Sequence, residues 1–175
     1  MGVGPGDLQT LAEDYLQACA EALDEIPGSP GLGLGFVGAP DRAFVTYGTP
    51  AADCDQLTVH AVPLTVGGNA PINAAVVRVN HVTLVATLFR CGAAWTSSTE
   101  FPSPAAQQAF AEQVNADRWA LWNYPYTKWC KKQLFEDCGD VGDWILQQLQ
   151  PSGGMAGTTL TVTVSLQGYE PTIVI

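Results

Sequence analysis

The residues able to form a catalytic or metal centre in this sequence are two histidines and five cysteines. His60 and His81 each lie in a segment that is predicted as a strand, and neither has a Cys or His two to four residues away. A closed zinc site usually takes two of its four ligands from residues two to four positions apart. Neither histidine therefore provides such a pair of ligands. A composite site with Cys54 or Cys91 stays open as an alternative, but ordinary strand histidines are the favoured interpretation.

The cysteines are odd in number and lack tight spacing, which favours free thiols over a disulfide framework. They are Cys19, Cys54, Cys91, Cys130 and Cys138. We interpret them as reduced thiols in a cytosolic context, most of them small buried hydrophobes. The acids beside Cys54, in Asp53-Cys54-Asp55, disfavour the thiolate and make it a poor nucleophile. Cys130 and Cys138 can form a bridge only if the segment between them bends.

Catalytic motifs are absent from the sequence. It contains no Gly-x-Ser-x-Gly, no His-Glu-x-x-His and no P-loop. Residues 27–41 are rich in glycine, but a phosphate loop follows a strand and opens a helix. This segment instead follows a predicted helix, ends at Ala39-Pro40 and holds no lysine. We therefore predict no catalytic residue, no metal and no cofactor, and an enzyme that uses Cys54 or Cys91 ranks last among the alternatives.

Composition and charge restrict the class of protein further. The chain has 175 residues, 47% of them hydrophobic and 14% charged, which suffices for one well-buried domain. Seven Lys and Arg stand against 17 Asp and Glu, a net charge of −10, so a basic DNA-binding surface is excluded. The acidic balance suits either a solvated helix or a channel lining to which DNA must not adhere. No apolar run reaches the roughly 18 residues of a membrane span, and Met1 does not open a secretory signal.

The first half of the chain is predicted to form one helix followed by strands. Apolar residues at helical spacing indicate a helix over 7–26, with Asp7 as its N-cap, and a glycine-rich loop covers 27–42. A β-meander is predicted over 43–92. Its strongest strand ends at Cys91 and is apolar on both faces, so it is expected to be central, or covered by a helix on one face and a partner on the other. Pro63 cannot donate a ladder hydrogen bond, which predicts an edge or a bulge there.

The second half is predicted to be helical up to a final strand. Ser103-Pro104 is a strong helix start, and the helical segment covers 103–149 with a break at Pro125 and a short third helix around Trp144. Alternating Thr and aliphatic residues predict a strand over 157–167. The whole chain, 1–175, is therefore predicted as a single α+β domain, with a mainly antiparallel sheet and helices packed on one face.

Tryptophan is the remaining unusual feature. Four of the five tryptophans lie within 26 residues, and the full set is Trp95, Trp119, Trp122, Trp129 and Trp144. Packing of irregular helices onto the sheet is the favoured interpretation. The alternative is an interface, because Trp is enriched among the residues that anchor one protein to another.

Three stretches of this sequence resemble neck and tail proteins of phages that infect actinobacteria. They are Asp55-Gln-Leu-Thr-Val-His60, residues 78–91 (Arg-Val-Asn-His-Val-Thr-Leu-Val-Ala-Thr-Leu-Phe-Arg-Cys) and residues 151–169, which open with Pro-Ser-Gly-Gly. The order of one helix, a β-meander, a helix and a final strand is similar to the tail terminator proteins of long-tailed phages, and it covers nearly the whole chain. The Trp- and Cys-rich segment 119–149 departs from the minimal terminator pattern.

This resemblance implies a structural virion protein that forms a ring, usually a hexamer, assembled in the host cytoplasm. The ring caps the tail tube, stops its polymerisation and joins the tail to the head-side neck, while DNA passes through the lumen. Its implied partners are further copies of itself, the major tail tube protein and the head-tail stopper or connector. Neither a membrane nor a specific nucleic-acid sequence is an expected partner.

The expected ring contacts lie on strands near 56–66 and 76–91, because edge strands can pair between copies. The interface residues we predict on this basis are Leu57, Val59, Val62, Val77, Val79, Val85 and Phe89. Two alternative functions stay open. One is another neck component, such as a head-to-tail connector or stopper. The other is a cytosolic small-ligand-binding α+β domain with the tryptophans lining a pocket.

Overall fold

A computed structural model describes residues 5–24, 38–65, 79–92, 102–136, 138, 141–152 and 154–166. Two helices and five strands follow one another along the chain. They are α1 (Pro5–Asp24), β1 (Arg42–Val45), β2 (Gln56–Thr65), β3 (Val79–Cys91), α2 (Pro104–Cys130), β4 (Val141–Ser152) and β5 (Met155–Ser165). The predicted α+β class is therefore confirmed. Neither described helix is both long enough and apolar enough to cross a membrane.

The strands form one sheet in the order β1-β2-β3-β5-β4. β1 runs parallel to β2, whereas β2–β3, β3–β5 and β5–β4 are antiparallel. The β-meander predicted over 43–92 is therefore wrong at its first step, since a meander requires antiparallel neighbours. β3 is central, as its two apolar faces predicted, and it pairs along most of its described length with β2 on one side and β5 on the other.

Pro63 lies on the part of β2 that β1 does not reach. β1 pairs only with residues 56–59 of β2, so it ends short of Pro63, and the β2–β3 register shifts between Leu64 and Thr65. A proline that lacks an N–H is tolerated at such a position because no neighbour there requires the donor. Of the two predicted alternatives, the edge is found at Pro63 among the described strands, and the bulge lies just beyond it.

The hydrophobic core lies between the two helices and one face of the sheet, which we call the helix-covered face. Alternate residues of β3, β2 and β5 point into it, and α1 covers them with a stripe of small and aromatic side chains. The fully buried members on the sheet are Leu57, Val59, Val82, Leu84, Ala86, Leu160, Val162 and Val164. The intervening residues form the second face, which is rich in threonine.

α1 is anchored to the sheet at its middle and to the segment before β1 at its C-terminal end. Tyr15 is fully buried, and its hydroxyl donates to the carbonyl oxygen of Leu160 at 3.0 Å. At the C-terminal end the Asp24 carboxylate accepts from the Ala39 N–H at 2.8 Å, which compensates an anion that the helix dipole disfavours. The helix begins at Pro5 rather than at Asp7, and of the predicted range 7–26 the last two residues lie outside the described residues.

α2 begins as predicted but does not end as predicted. The Ser103 hydroxyl accepts from the Ala106 N–H at 3.2 Å, which confirms the N-cap. The break expected at Pro125 is wrong, because the helix continues to Cys130 with Pro125 buried inside it. A proline within a helix costs about 3 kcal/mol. Packing of the following turn, where Trp129 joins the core, offsets that cost.

The helical prediction for the segment 103–149 is wrong beyond Cys130, since residues 131–136 form turns and residues 141–149 belong to β4. Leu and Gln favour helices in isolation, but the outer edge of β5 offers a row of backbone donors and acceptors that β4 satisfies. Trp144 and Leu146 then point to the helix-covered face, and Ile145 points to the second face. β5 itself falls close to the predicted strand 157–167.

Cys54 and Cys91 form a disulfide, with 5.2 Å between their Cα atoms. The expectation that all five cysteines are thiols is therefore wrong for this pair. Residues 37 apart in sequence are brought together because β2 begins beside the end of β3, with Gln56 opposite Phe89. Sequence spacing alone cannot reveal such a pairing. Cys19 and Cys130 are thiols, the first buried and the second exposed.

Candidate interaction surfaces at the two ends of the sheet

The large apolar side chains that the described part of the chain exposes lie at the two ends of the sheet. Phe44, Tyr47 and Val62 belong to the β1 end; Trp119, Trp122, Tyr126 and Ile145 belong to the β4 end. Scattered exposed hydrophobic residues are ordinary, whereas clusters mark surfaces that meet a partner. The two ends of the sheet are therefore the candidate functional surfaces.

The β1 end is a short exposed strand with acidic surroundings. Three of the four β1 residues are exposed and the fourth is half-buried, and Phe44 has 41% of its surface accessible. Asp41, Asp53 and Asp55 are exposed beside the strand. The Asp53 carboxylate is paired with Arg42, and the hydrogen bond from that guanidinium lowers the pKa of Asp53.

The β4 end carries an open groove of about 640 Å³ between α2 and β4, which we call the Trp groove. Its walls are mainly aromatic and aliphatic. It is lined by Asn115, Arg118, Trp119, Trp122, Trp144, Ile145 and Leu146. Trp119 is the most open of these tryptophans, with 68% of its surface exposed. Arg118 is the only charged residue among those that line it.

The wall formed by Trp144 is held by a cluster of aromatic rings. Ring centroids of Tyr15, Tyr126, Trp129 and Phe135 lie between 6.0 and 6.3 Å from that of Trp144. Edge and tilted contacts of this kind add to the apolar burial of each ring. Trp129 and Trp144 therefore pack within the fold, as the favoured interpretation of the sequence expects. Trp119 and Trp122 are exposed on the surface. Trp95 lies outside the described residues.

Two N–H donors at the Trp groove have no acceptor within the described structure. They are Nε of Arg118 and Nε1 of Trp144, and both atoms are buried. The other end of the Arg118 guanidinium donates to Gln148 Oε1 at 2.7 Å. A buried donor without an acceptor costs about 1–3 kcal/mol, so these two atoms lower the stability of this part of the fold.

The backbone of β4 is unsatisfied on the same side. β4 pairs with β5 along one edge, and it is the last strand of the described sheet, so its other edge carries alternating free N–H and C=O groups. An edge strand beside an apolar groove is a typical geometry for adding a further strand. This surface is therefore suited to binding an extended chain.

Ion pairs fix α2, and therefore one wall of the Trp groove, against the rest of the fold. Arg90 of β3 donates through Nε to Asp117 Oδ2 at 2.9 Å, and both side chains are buried. Desolvation raises the pKa of Asp117, with the hydrogen bond from Arg90 opposing it. Lys128 of α2 pairs with Glu21 of α1, and this hydrogen bond lowers the pKa of Glu21.

The structure separates the interface residues that the sequence predicted. Leu57 and Val59 are fully buried in the core of a single chain, so their side chains are not available to a neighbour. Phe89 is also almost completely buried, and Val85 is half-buried on the second face. The backbone of β3 is already paired on both sides. The described backbone of β3 therefore leaves no free edge for the strand pairing between copies expected near 76–91.

Val62 is the predicted interface residue that the structure exposes, with 40% of its surface accessible on the part of β2 beyond β1. Val77 lies outside the described residues. Val79 opens β3, but its side chain is outside what is described. Strand alternation could not find Phe44 or Ile145 as surface residues, because which strand ends the sheet depends on pairing between distant segments.

The histidines do not meet in a metal site. His60 lies on the second face of β2, where burial lowers its pKa and where Nδ1 has no partner in the described structure. His81 is half-buried on β3, opposite Leu64 of β2. Within the described ranges, no group of three or more His, Cys, Asp or Glu side chains is close enough to hold a metal ion.

Comparison with known proteins adds no family to this description: no protein-family model matches the chain, and no curated protein has a significantly similar sequence.

Proposed function

We propose that this protein is a tail terminator of a long-tailed phage, a structural virion protein that forms a ring on the tail tube. The observation that carries the proposal is the clustering of exposed apolar side chains at both ends of one sheet. A subunit with a different contact surface at each end joins a neighbour on each side, and such head-to-tail contacts close into a ring when the rotation permits.

Charge supports a lumen through which DNA passes. Seven basic residues against 17 acidic ones give a net charge of −10, so phosphates are repelled rather than bound. In this proposal the ring, expected to be a hexamer, stops growth of the major tail tube protein at one face. Its other face meets the stopper or connector of the head-side neck, and the protein belongs to the virion.

The experiment is to measure tail lengths by electron microscopy in phage that lack this protein. Terminator function predicts tails that exceed the normal length and vary widely, and a copy supplied in trans restores one length. Tails of normal length, lying separate from filled heads, would instead indicate a connector or stopper. Tails of normal length on intact particles would contradict any role in the neck.

A small-ligand-binding domain is the second candidate, and the Trp groove is the observation that favours it. Three tryptophans line a groove of about 640 Å³, which falls in the size range of small-molecule sites, roughly 300–1,000 Å³. Ligand binding there predicts a change in Trp fluorescence that disappears in Trp119→Phe/Trp122→Phe, in a protein that stays monomeric. The ring proposal predicts that the fluorescence change accompanies self-association instead.

A further inference from the structure

We infer that the Trp groove is the docking site for the β1 end of a second copy of this chain, so that the sheet of one copy continues into the sheet of the next. The inference rests on the proposed ring function and deepens it by naming the two surfaces in contact. It replaces the expected contact through β3, which the central position of that strand forbids.

The backbone provides the first step. β4 and β1 are the terminal strands of the described sheet, and each has a strand neighbour on one side only. Three of the four β1 residues are exposed, so the strand can approach a second edge without displacing part of its own chain. Pairing β4 of one copy with β1 of the next satisfies unpaired backbone groups on both.

The side chains agree with this pairing. Phe44 lies in register with Thr58, and Ile145 lies in register with Thr161; both threonines belong to the second face. In a sheet continued from β4 to β1, Phe44 and Ile145 therefore come together on that face, where 41% and 46% of their surfaces are exposed in the single chain. Ala43, which is exposed, lies on the other face, the one on which Trp119 and Trp122 of the neighbour lie, whereas Val45 packs against the core of its own chain.

Charge agrees as well. Arg118 lines the Trp groove, and no acidic side chain lines it. The β1 end supplies exposed carboxylates, with Asp41 next to the strand and Asp55 nearby, together with the carbonyl groups of an unpaired edge. Because a cation lines one end and carboxylates flank the other, unlike ends attract. A head-to-tail contact is therefore favoured over pairing of two β4 strands.

Cross-linking of cysteines placed at the two ends tests the contact. In a Cys130→Ser/Cys138→Ser background, the double variant Phe44→Cys/Ile145→Cys should give a ladder of covalent oligomers with a short bis-maleimide linker, without added reductant. Each single variant should stay a monomer under denaturing conditions, since a head-to-tail contact brings unlike positions together. The matched control, Glu13→Cys/Ile145→Cys, places the first thiol on the exposed face of α1 and should give no ladder.

Two results would overturn the inference. One is the absence of a ladder from the double variant. The other is efficient dimerisation of Ile145→Cys alone, which would mean that two β4 strands meet. Trp119→Ser/Trp122→Ser gives an independent reading, because loss of two aromatic anchors should raise the dissociation constant at least tenfold. Gln108→Ser, at an exposed site on α2, should leave it unchanged. An equal dissociation constant for the Trp variant would contradict the docking site.

Failure of this inference is distinguishable from failure of the proposed function. A closed oligomer in native mass measurements without a ladder would mean that the ring uses other surfaces. Monomers in both experiments would overturn docking between copies in solution. Terminator function itself is decided by tail length in particles that lack the protein, whatever the cross-linking shows.

Discussion

Arg90 of β3 and Asp117 of α2 form a buried ion pair, with 2.9 Å between Nε and Oδ2. The same guanidinium donates to the carbonyl oxygen of Gly38, and Nη1 has no partner in the described structure. The pair therefore joins the centre of the sheet to the helix that forms one wall of the Trp groove. Its stabilising effect depends on both charges being present.

Removing Asp117 should destabilise the protein strongly. Asp117→Ala leaves the Arg90 charge buried without its counter-ion, which costs about 3–5 kcal/mol of unfolding free energy. Urea denaturation followed by Trp fluorescence measures it, with Asp14→Ala on the exposed face of α1 as the control. The double variant Arg90→Met/Asp117→Leu should lose much less. A loss below about 1 kcal/mol in Asp117→Ala would show that the pair does not hold α2.

Tyr15→Phe should cost about 1 kcal/mol, within the usual range of 0.5–1.5 for one hydrogen bond. The substitution keeps the ring in its aromatic cluster but leaves the Leu160 carbonyl oxygen without its buried donor. The midpoint of urea unfolding should fall accordingly. Tyr47→Phe is the matched control, since Tyr47 is fully exposed and should show no change. Equal midpoints for all three proteins would contradict the role of this hydrogen bond.

Reducing the Cys54–Cys91 disulfide should destabilise the fold by about 2–4 kcal/mol, the usual effect of opening a loop of this size. The two cysteines are 37 residues apart, so the bridge restricts a large part of the unfolded chain. The wild type should lose stability in reductant, whereas Cys54→Ser/Cys91→Ser should be equally unstable with and without it. Cys130→Ser should behave like wild type. Reductant-independent stability of the wild type would show that no such bridge forms.

The Glu21–Lys128 pair should stabilise the fold over a defined range of pH. The pKa of Glu21 is lowered from 4.5, so its contribution is complete above that value and is lost as the pH falls through the folded-state pKa. The pKa of Lys128 is raised from 10.5, so its contribution is complete below that value and is lost at higher pH. Between these limits the pair contributes at most about 1 kcal/mol, since both side chains are partly exposed.

Glu21→Gln tests this range when unfolding free energies are compared with those of the wild type at each pH. The difference should be constant from about pH 5 to 9 and should shrink as the pH falls through the lowered folded-state pKa of Glu21, below which both proteins are neutral at position 21. Asp14→Asn on the exposed face of α1 should show no comparable change. A Glu21→Gln difference that grows as the pH falls would contradict the pairing.

Local signals in the sequence predicted those elements whose partners lie close by. Ser103-Pro104 specified the start of α2, and two apolar faces specified that β3 is central. β4 could not be predicted in the same way, because its Leu and Gln residues favour a helix and only the edge of β5 makes it a strand. The continuation of α2 through Pro125 likewise depends on tertiary packing rather than on propensity.

The candidate surfaces were only partly predictable for a related reason. The density of tryptophans indicated an interface as the alternative to packing, and the structure packs Trp129 and Trp144 while it exposes Trp119 and Trp122. The exposed position of Phe44 and Ile145, however, follows from strand order, which segments far apart in sequence determine together. The disulfide depends on the same long-range pairing, since Gln56 lies opposite Phe89 and thereby brings Cys54 to Cys91.

Native mass spectrometry over a dilution series is the measurement that tests the central claim, head-to-tail assembly into a ring, most directly. The account predicts a closed oligomer near six times the 18.5 kDa subunit at high concentration, dissociating to monomer on dilution. Trp119→Ser/Trp122→Ser should move that dissociation to higher concentration. A wild-type protein that is monomeric at every concentration, or that stops at a dimer, would contradict it.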